Sequence, residues 1–138
     1  MIIIRTIIEV IGFPEDYIKD AITKIVDNIK EKPYIKIQSY TIAETKKYEK
    51  MFSTFAELEL EFKDLISVLN FCFDYLPSSV EIIQPENINE RSVDFAGFIN
   101  DLMLKLHEYN IVIRNLQAEN KVLKMKLEPT SSNNKKNS

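Results

Sequence analysis

Three glutamates at alternate positions form the sharpest group of potentially functional side chains in this sequence. Glu57, Glu59 and Glu61 alternate with apolar residues, so in a β-strand they would share one face of a sheet at a spacing of about 7 Å. A hard cation needs carboxylates that converge from more than one strand. We therefore interpret the three residues first as a solvated acidic face, and second as a surface for a basic partner. No metal and no cofactor is predicted.

The chain has one histidine and one cysteine, which give no recognisable zinc-binding spacing. Cys72 lies between the apolar Leu69 and Phe73 and has no basic neighbour in sequence to lower its pKa, so a buried, unreactive thiol is predicted. His107 is expected at a solvated position of a helix. The sequence also has no glycine-rich phosphate loop and no nucleophile motif. We identify no catalytic residue and predict that the protein is not an enzyme.

Charge is distributed unevenly along the chain. Residues 1–104 carry 11 basic and 18 acidic side chains, whereas residues 105–138 carry 7 basic and 3 acidic ones. Sheets that stack RNA bases present aromatic and basic residues together, but Phe55 lies among glutamates. Contact with a polyanion is therefore expected only near the C-terminus. The candidate contact residues there are Lys121, Lys124, Lys126, Lys135 and Lys136.

Composition also bears on the cellular location of the protein. No apolar run approaches the length that spans a bilayer, and the first residues do not follow the pattern of a signal peptide. A single cysteine excludes an internal disulfide framework and suits a reducing compartment. We expect a cytoplasmic protein with no membrane contact.

The elements that position these residues follow the order strand, helix, strand, strand, helix, strand, long helix. The strands are predicted at residues 2–11, 34–42, 52–62 and 79–84, with a connection at residues 43–50 that could form one helical turn. The first helix begins at Pro14 and ends before Pro33. The second begins after a cap at Asp64 and ends before Pro77. The long helix is capped by Asn87 or Asn89 and ends at Pro129.

Apolar spacing predicts which face of each element is buried. The third strand places Phe52, Thr54, Ala56, Leu58, Leu60 and Phe62 towards the core. The first helix presents Ile18, Ala21, Ile22, Ile25 and Ile29 on its apolar face. The second helix presents Leu65, Leu69, Cys72, Phe73 and Leu76.

This order predicts an α+β fold with a four-stranded antiparallel sheet and two helices on one face. It resembles the ferredoxin-like βαββαβ fold over residues 1–86, followed by a long amphipathic, coiled-coil helix at 87–128 and a disordered polar tail at 129–138. The layout also resembles small uncharacterised archaeal proteins with a C-terminal helix, in the stretches 51–56 and 76–82. These resemblances imply a fold and no particular activity.

The long helix carries a coiled-coil repeat. Steps of four and three residues connect ten positions, nine of them apolar: Phe95, Ile99, Leu102, Leu106, Tyr109, Ile113, Leu116, Asn120, Leu123 and Leu127. A sustained 3.5-residue repeat places them in a single line along the helix. We expect the first half to pack on the chain's own sheet. The part from Leu102 to Leu127 is expected to pair with a second copy.

Asn120 bears on the orientation of that pair. With Leu102, Tyr109, Leu116 and Leu123 at heptad position d, Asn120 occupies position a, where two copies in a parallel dimer can bond to each other. Glu119 could also pair with Lys124 of the other helix. Parallel pairing is favoured, and antiparallel pairing remains the alternative.

These observations favour a non-enzymatic homodimeric adaptor that joins a protein partner to a paired helix. The main alternative is an accessory factor for nucleic acid or ribosomes that uses the basic helix end. A third hypothesis is a small-molecule sensor that binds between two ferredoxin-like domains.

Overall fold

The structure, a computed structural model, describes residues 1–128. Its elements are β1 (Ile2–Gly12), α1 (Glu15–Lys30), β2 (Lys36–Ile42), β3 (Lys46–Tyr48), β4 (Met51–Phe62), α2 (Leu65–Tyr75), β5 (Ser79–Gln84) and α3 (Ser92–Leu127). The described residues divide into two units, one of residues 1–89 and a second that begins at Glu90 and contains α3. Among these residues, no helix has the length and apolar content needed to cross a membrane.

The two longest strands form the centre of the sheet. β1 and β4 pair antiparallel along their whole length, from Ile2 opposite Phe62 to Gly12 opposite Phe52. β2 pairs with the other side of β4 and β5 with the other side of β1, which gives the order β2-β4-β1-β5. The predicted α+β fold with an open antiparallel sheet is confirmed, and its strand order is that of two interleaved βαβ units.

The connection at residues 43–50 contains a strand, so the predicted helical turn is wrong. β4 has 12 residues and β2 only 7, so β2 leaves part of the edge of β4 without a partner. β3 fills it by pairing with Met51, Phe52 and Ser53. The segment is further held by Ala43, whose N–H donates to the Phe55 carbonyl at 2.9 Å. β3 thus provides hydrogen-bonding partners for backbone groups of β4 that β2 does not reach.

One face of the sheet forms the core. The predicted alternation in β4 is confirmed, since Thr54, Ala56, Leu58, Leu60 and Phe62 are buried. α1 packs against this face through four buried residues, Ile18, Ile22, Val26 and Ile29. The sequence had indicated three of these four and had not indicated Val26.

The buried face of α2 differs from the predicted one. Its cap is as expected, because the Ser67 N–H donates to Asp64 Oδ1 at 2.8 Å. Hydrogen bonding from the Ser67 side chain, and then from its backbone N–H, lowers the pKa of the Asp64 carboxyl. The buried residues, however, are Val68 and Phe71, and the side chain of Leu76 is 72% exposed. α2 is apolar on nearly every side, so its spacing could not reveal which side faces the sheet.

Candidate interaction surface

The three glutamates of β4 lie on the sheet face opposite the helices, and the first of them belongs to an ion-pair bridge. Glu57 Oε1 lies 3.7 Å from Nε of Arg5 in β1. Arg5 Nη1 in turn donates to Glu81 Oε2 in β5 at 3.2 Å. Arg5 therefore links three neighbouring strands and partly neutralises the acidic face.

The other two glutamates bind residues of β2. A β-bulge at Gln38 brings Gln38 and Ser39 to the same face. Gln38 Nε2 donates to Glu61 at 2.9 Å, and Ser39 Oγ donates to Glu59 at 3.3 Å. Lys36 Nζ lies 3.8 Å from Glu61. Within residues 1–128, no three His, Cys, Asp or Glu side chains are arranged to hold a metal ion.

Cys72 and His107 lie in different units. Cys72 is half-buried beside the core, and this burial raises the pKa of its thiol. His107 is exposed on α3.

We expect Cys72 to react slowly with a thiol reagent such as Ellman's reagent at pH 8. Burial limits access and disfavours the thiolate, so the rate should be about tenfold or more below that of the unfolded chain. The matched control moves the thiol to an exposed site by combining Cys72→Ser with Leu76→Cys, and should react rapidly. Equal rates for the native protein and this control would show that Cys72 is accessible.

A continuous line of apolar side chains is uncovered along α3. We call it the self-association seam. Its residues are Leu102, Leu106, Tyr109, Ile113, Leu116, Asn120, Leu123 and Leu127. Six of its large apolar side chains, from Leu106 onward, are between 47% and 79% exposed in a single chain. So much apolar surface in one line is typical of a surface that another helix covers.

Two apolar residues in the first half of α3 are also exposed, and the expected packing of this half on the sheet stays a prediction. Phe95 and Ile99 are 48% and 40% exposed, and none of the described residues of α3 is buried. The helix begins at Ser92 after Arg91, whose side chain makes no capping hydrogen bond. Asn87 and Asn89 precede this start and do not cap it.

The basic residues near the end of α3 do not form one stripe. Lys121, Lys124 and Lys126 are exposed. At about 100° per residue Lys121 and Lys124 share one side of the helix, about 60° apart, whereas Lys126 points about 140° or more away from both. Lys135 and Lys136 lie outside the described residues, as do the predicted helix end at Pro129 and the predicted disordered tail.

A second apolar stripe runs along the side of α3 opposite the self-association seam. It consists of Leu104, Ile111, Ala118, Val122 and Met125, and its four larger side chains are between 49% and 60% exposed. The sequence analysis did not identify this second stripe, because it considered only the stronger repeat of the self-association seam. The signal was present, since steps of seven residues connect Leu104, Ile111, Ala118 and Met125.

The fold and this surface define a small α+β sheet protein with an uncovered amphipathic helix. The chain belongs to the MJ0538 family, whose model matches residues 3–129. The match includes both the sheet unit and α3, so both are features of the family model. No curated protein and no solved structure matches the chain.

Proposed function

We propose that the protein is a non-enzymatic homodimeric adaptor. In this proposal α3 pairs in parallel with α3 of a second copy, and a protein partner is joined to the paired helix. The observation that carries it is the uncovered self-association seam, whose apolar residues repeat at coiled-coil spacing from Leu102 to Leu127.

The residues beside the seam are compatible with parallel self-pairing. In a parallel dimer, each position g faces position e of the next heptad in the other helix. Here Glu119 would face Lys124, an attractive pair, and Lys105 would face Asn110. No two like charges meet along residues 92–127, so the flanking residues do not oppose the dimer.

Light scattering on the full chain tests the proposal directly. The adaptor should have twice the 16.1 kDa mass of one chain at micromolar concentration. A single-chain mass under these conditions would rule out an adaptor that works as a dimer.

Replacement of Asn120 by leucine should stabilise the dimer and loosen its oligomeric state. Two buried amides would be exchanged for apolar contacts, a gain of about 1–3 kcal/mol, while the bond that fixes the register would be lost. Thermal unfolding should therefore occur at a higher temperature, and light scattering should reveal species larger than a dimer. Asn100→Leu, outside both the seam and the second apolar stripe, is the matched control and should leave the mass unchanged. A less stable, strictly dimeric Asn120→Leu protein would contradict a parallel seam at this position.

An accessory factor for nucleic acid is the second candidate, and the exposed Lys121, Lys124 and Lys126 favour it. Phosphate contacts of this kind are independent of sequence and weaken as salt rises. We prefer the adaptor because the outer sheet face is lined by glutamates, which repel a polyanion. Purification of partners from the host with and without nuclease separates the two candidates.

A further inference from the structure

We propose that the second apolar stripe of α3 binds an amphipathic helix of a different protein, one whose apolar residues are flanked by aspartates and glutamates. This inference rests on the proposed adaptor function and supplies the partner site that the adaptor needs. The stripe consists of Leu104, Ile111, Ala118, Val122 and Met125, all of which are exposed in the single chain.

Self-pairing would leave the second stripe open. Its residues occupy heptad positions f and c, which point away from the partner helix in a two-stranded coiled coil. The centres of the seam and of the second stripe are about 150° apart around the helix. A closed four-helix bundle would need two contact faces about 90° apart, so the two stripes do not fit that arrangement.

The charged residues beside the second stripe favour an acidic partner. From Leu104 to Leu127, heptad positions b, c and g along the second stripe carry four cations against two carboxylates: Lys105, Arg114, Lys121 and Lys126 against Glu108 and Glu119. An incoming helix with acidic residues beside its apolar line would meet this excess of positive charge favourably. A basic helix would meet repulsion.

The same charges disfavour a second copy of this chain as the occupant. Two copies paired in parallel through the second stripe would bring Arg114, Lys121 and Lys126 of one helix beside the same residues of the other, and would also place Glu108, a position c residue, in the contact. Copies joined through both the seam and the second stripe would form an open-ended chain without closure. A different protein avoids both difficulties.

The length of the stripe sets the length of the partner helix. Leu104 and Met125 are separated by 21 residues of continuous helix, a span of about 32 Å at 1.5 Å per residue. The partner should therefore present an apolar line over about six helical turns.

The test uses a labelled synthetic peptide of about four heptads, a length close to that of the stripe. It has leucine at positions a and d and glutamate at e and g, and a matched peptide has lysine at e and g. Fluorescence anisotropy with the full-length protein at low salt should show tighter binding of the acidic peptide by about tenfold or more. Higher salt should reduce this preference.

Two variants identify the surface that binds. Ile111→Gln with Met125→Gln should weaken binding of the acidic peptide by about tenfold or more, because two apolar contacts are lost. Arg114→Glu with Lys121→Glu should reverse the preference in favour of the basic peptide. Circular dichroism checks that both variants remain helical.

The outcomes separate this inference from the adaptor proposal. Absence of peptide binding, or binding that the Ile111→Gln, Met125→Gln variant leaves unchanged, would overturn the second stripe as the site. Assemblies that grow with protein concentration and disappear in that variant would also overturn the proposal. They would show that copies of the chain occupy the stripe. A single-chain mass together with variant-sensitive peptide binding would instead overturn the dimer and support the stripe.

Discussion

Replacement of both Leu116 and Leu123 by glutamate should convert the protein from a dimer into a monomer. Both side chains lie in the self-association seam and are more than half exposed in the single chain. The dimer would lose four buried leucines and would have to accommodate four carboxylates near its axis, so its dissociation constant should rise by about ten-thousandfold or more. Light scattering across a dilution series measures the change.

The matched control places the same two charges seven residues apart on the other side of the helix. Ala118→Glu with Met125→Glu changes the second stripe and leaves the seam intact, so this protein should keep the mass of two chains. If both double variants dissociate equally, general loss of helix is the cause. If neither dissociates, the seam does not hold the copies together.

Phe71→Ala should lower the free energy of unfolding of the sheet unit by about 3–5 kcal/mol. Phe71 is fully buried, and the centroid of its ring lies 5.6 Å from the ring centroid of Phe62 and 5.2 Å from that of Tyr75. Truncation would leave a cavity between α2 and the sheet that the surrounding rings cannot fill. Urea unfolding at a fixed protein concentration measures the loss, since dilution would also shift the stability of a dimer.

Ile66→Ala is the control on the same helix. Ile66 is 41% exposed on another side of α2, so its truncation should cost about 1 kcal/mol or less. A larger loss at Ile66 than at Phe71 would mean that α2 buries a different face from the one seen in the structure.

Much of the sheet could be predicted because the alternating sequence of β4 indicates which of its faces is buried. Strict alternation from Phe52 to Phe62 assigns each side chain to one of two faces, and a strand cannot shift by one residue without exposing all of its apolar side chains. The Asp64 cap is equally local, since the Ser67 N–H lies within reach of a residue three positions earlier. The fold class followed from these local features and from the order of the elements.

The features that could not be predicted depend on tertiary context. β3 exists because β2 is shorter than β4, and the difference in length matters only once the strands are paired. The buried side of α2 was ambiguous because Val68 and Leu69 are equally apolar neighbours on different sides of the helix.

The candidate interaction surface was only partly evident in the sequence. The repeat from Leu102 to Leu127 was visible, because a helical spacing requires no knowledge of the rest of the fold. The structure adds that these side chains are uncovered in the single chain and that a second stripe accompanies them.

The unbroken run of α3 from Ser92 to Leu127 constrains how this part of the chain can change in length. One residue inserted near Ile113 would rotate everything beyond it by about 100° and would separate Leu116 and Leu123 from Leu102 and Leu106. Insertion or removal of seven residues would keep both stripes in line and change only their length. Related chains that preserve both contact surfaces should therefore differ along this helix by whole heptads, whereas the turn between β3 and β4 is free of this periodic restriction.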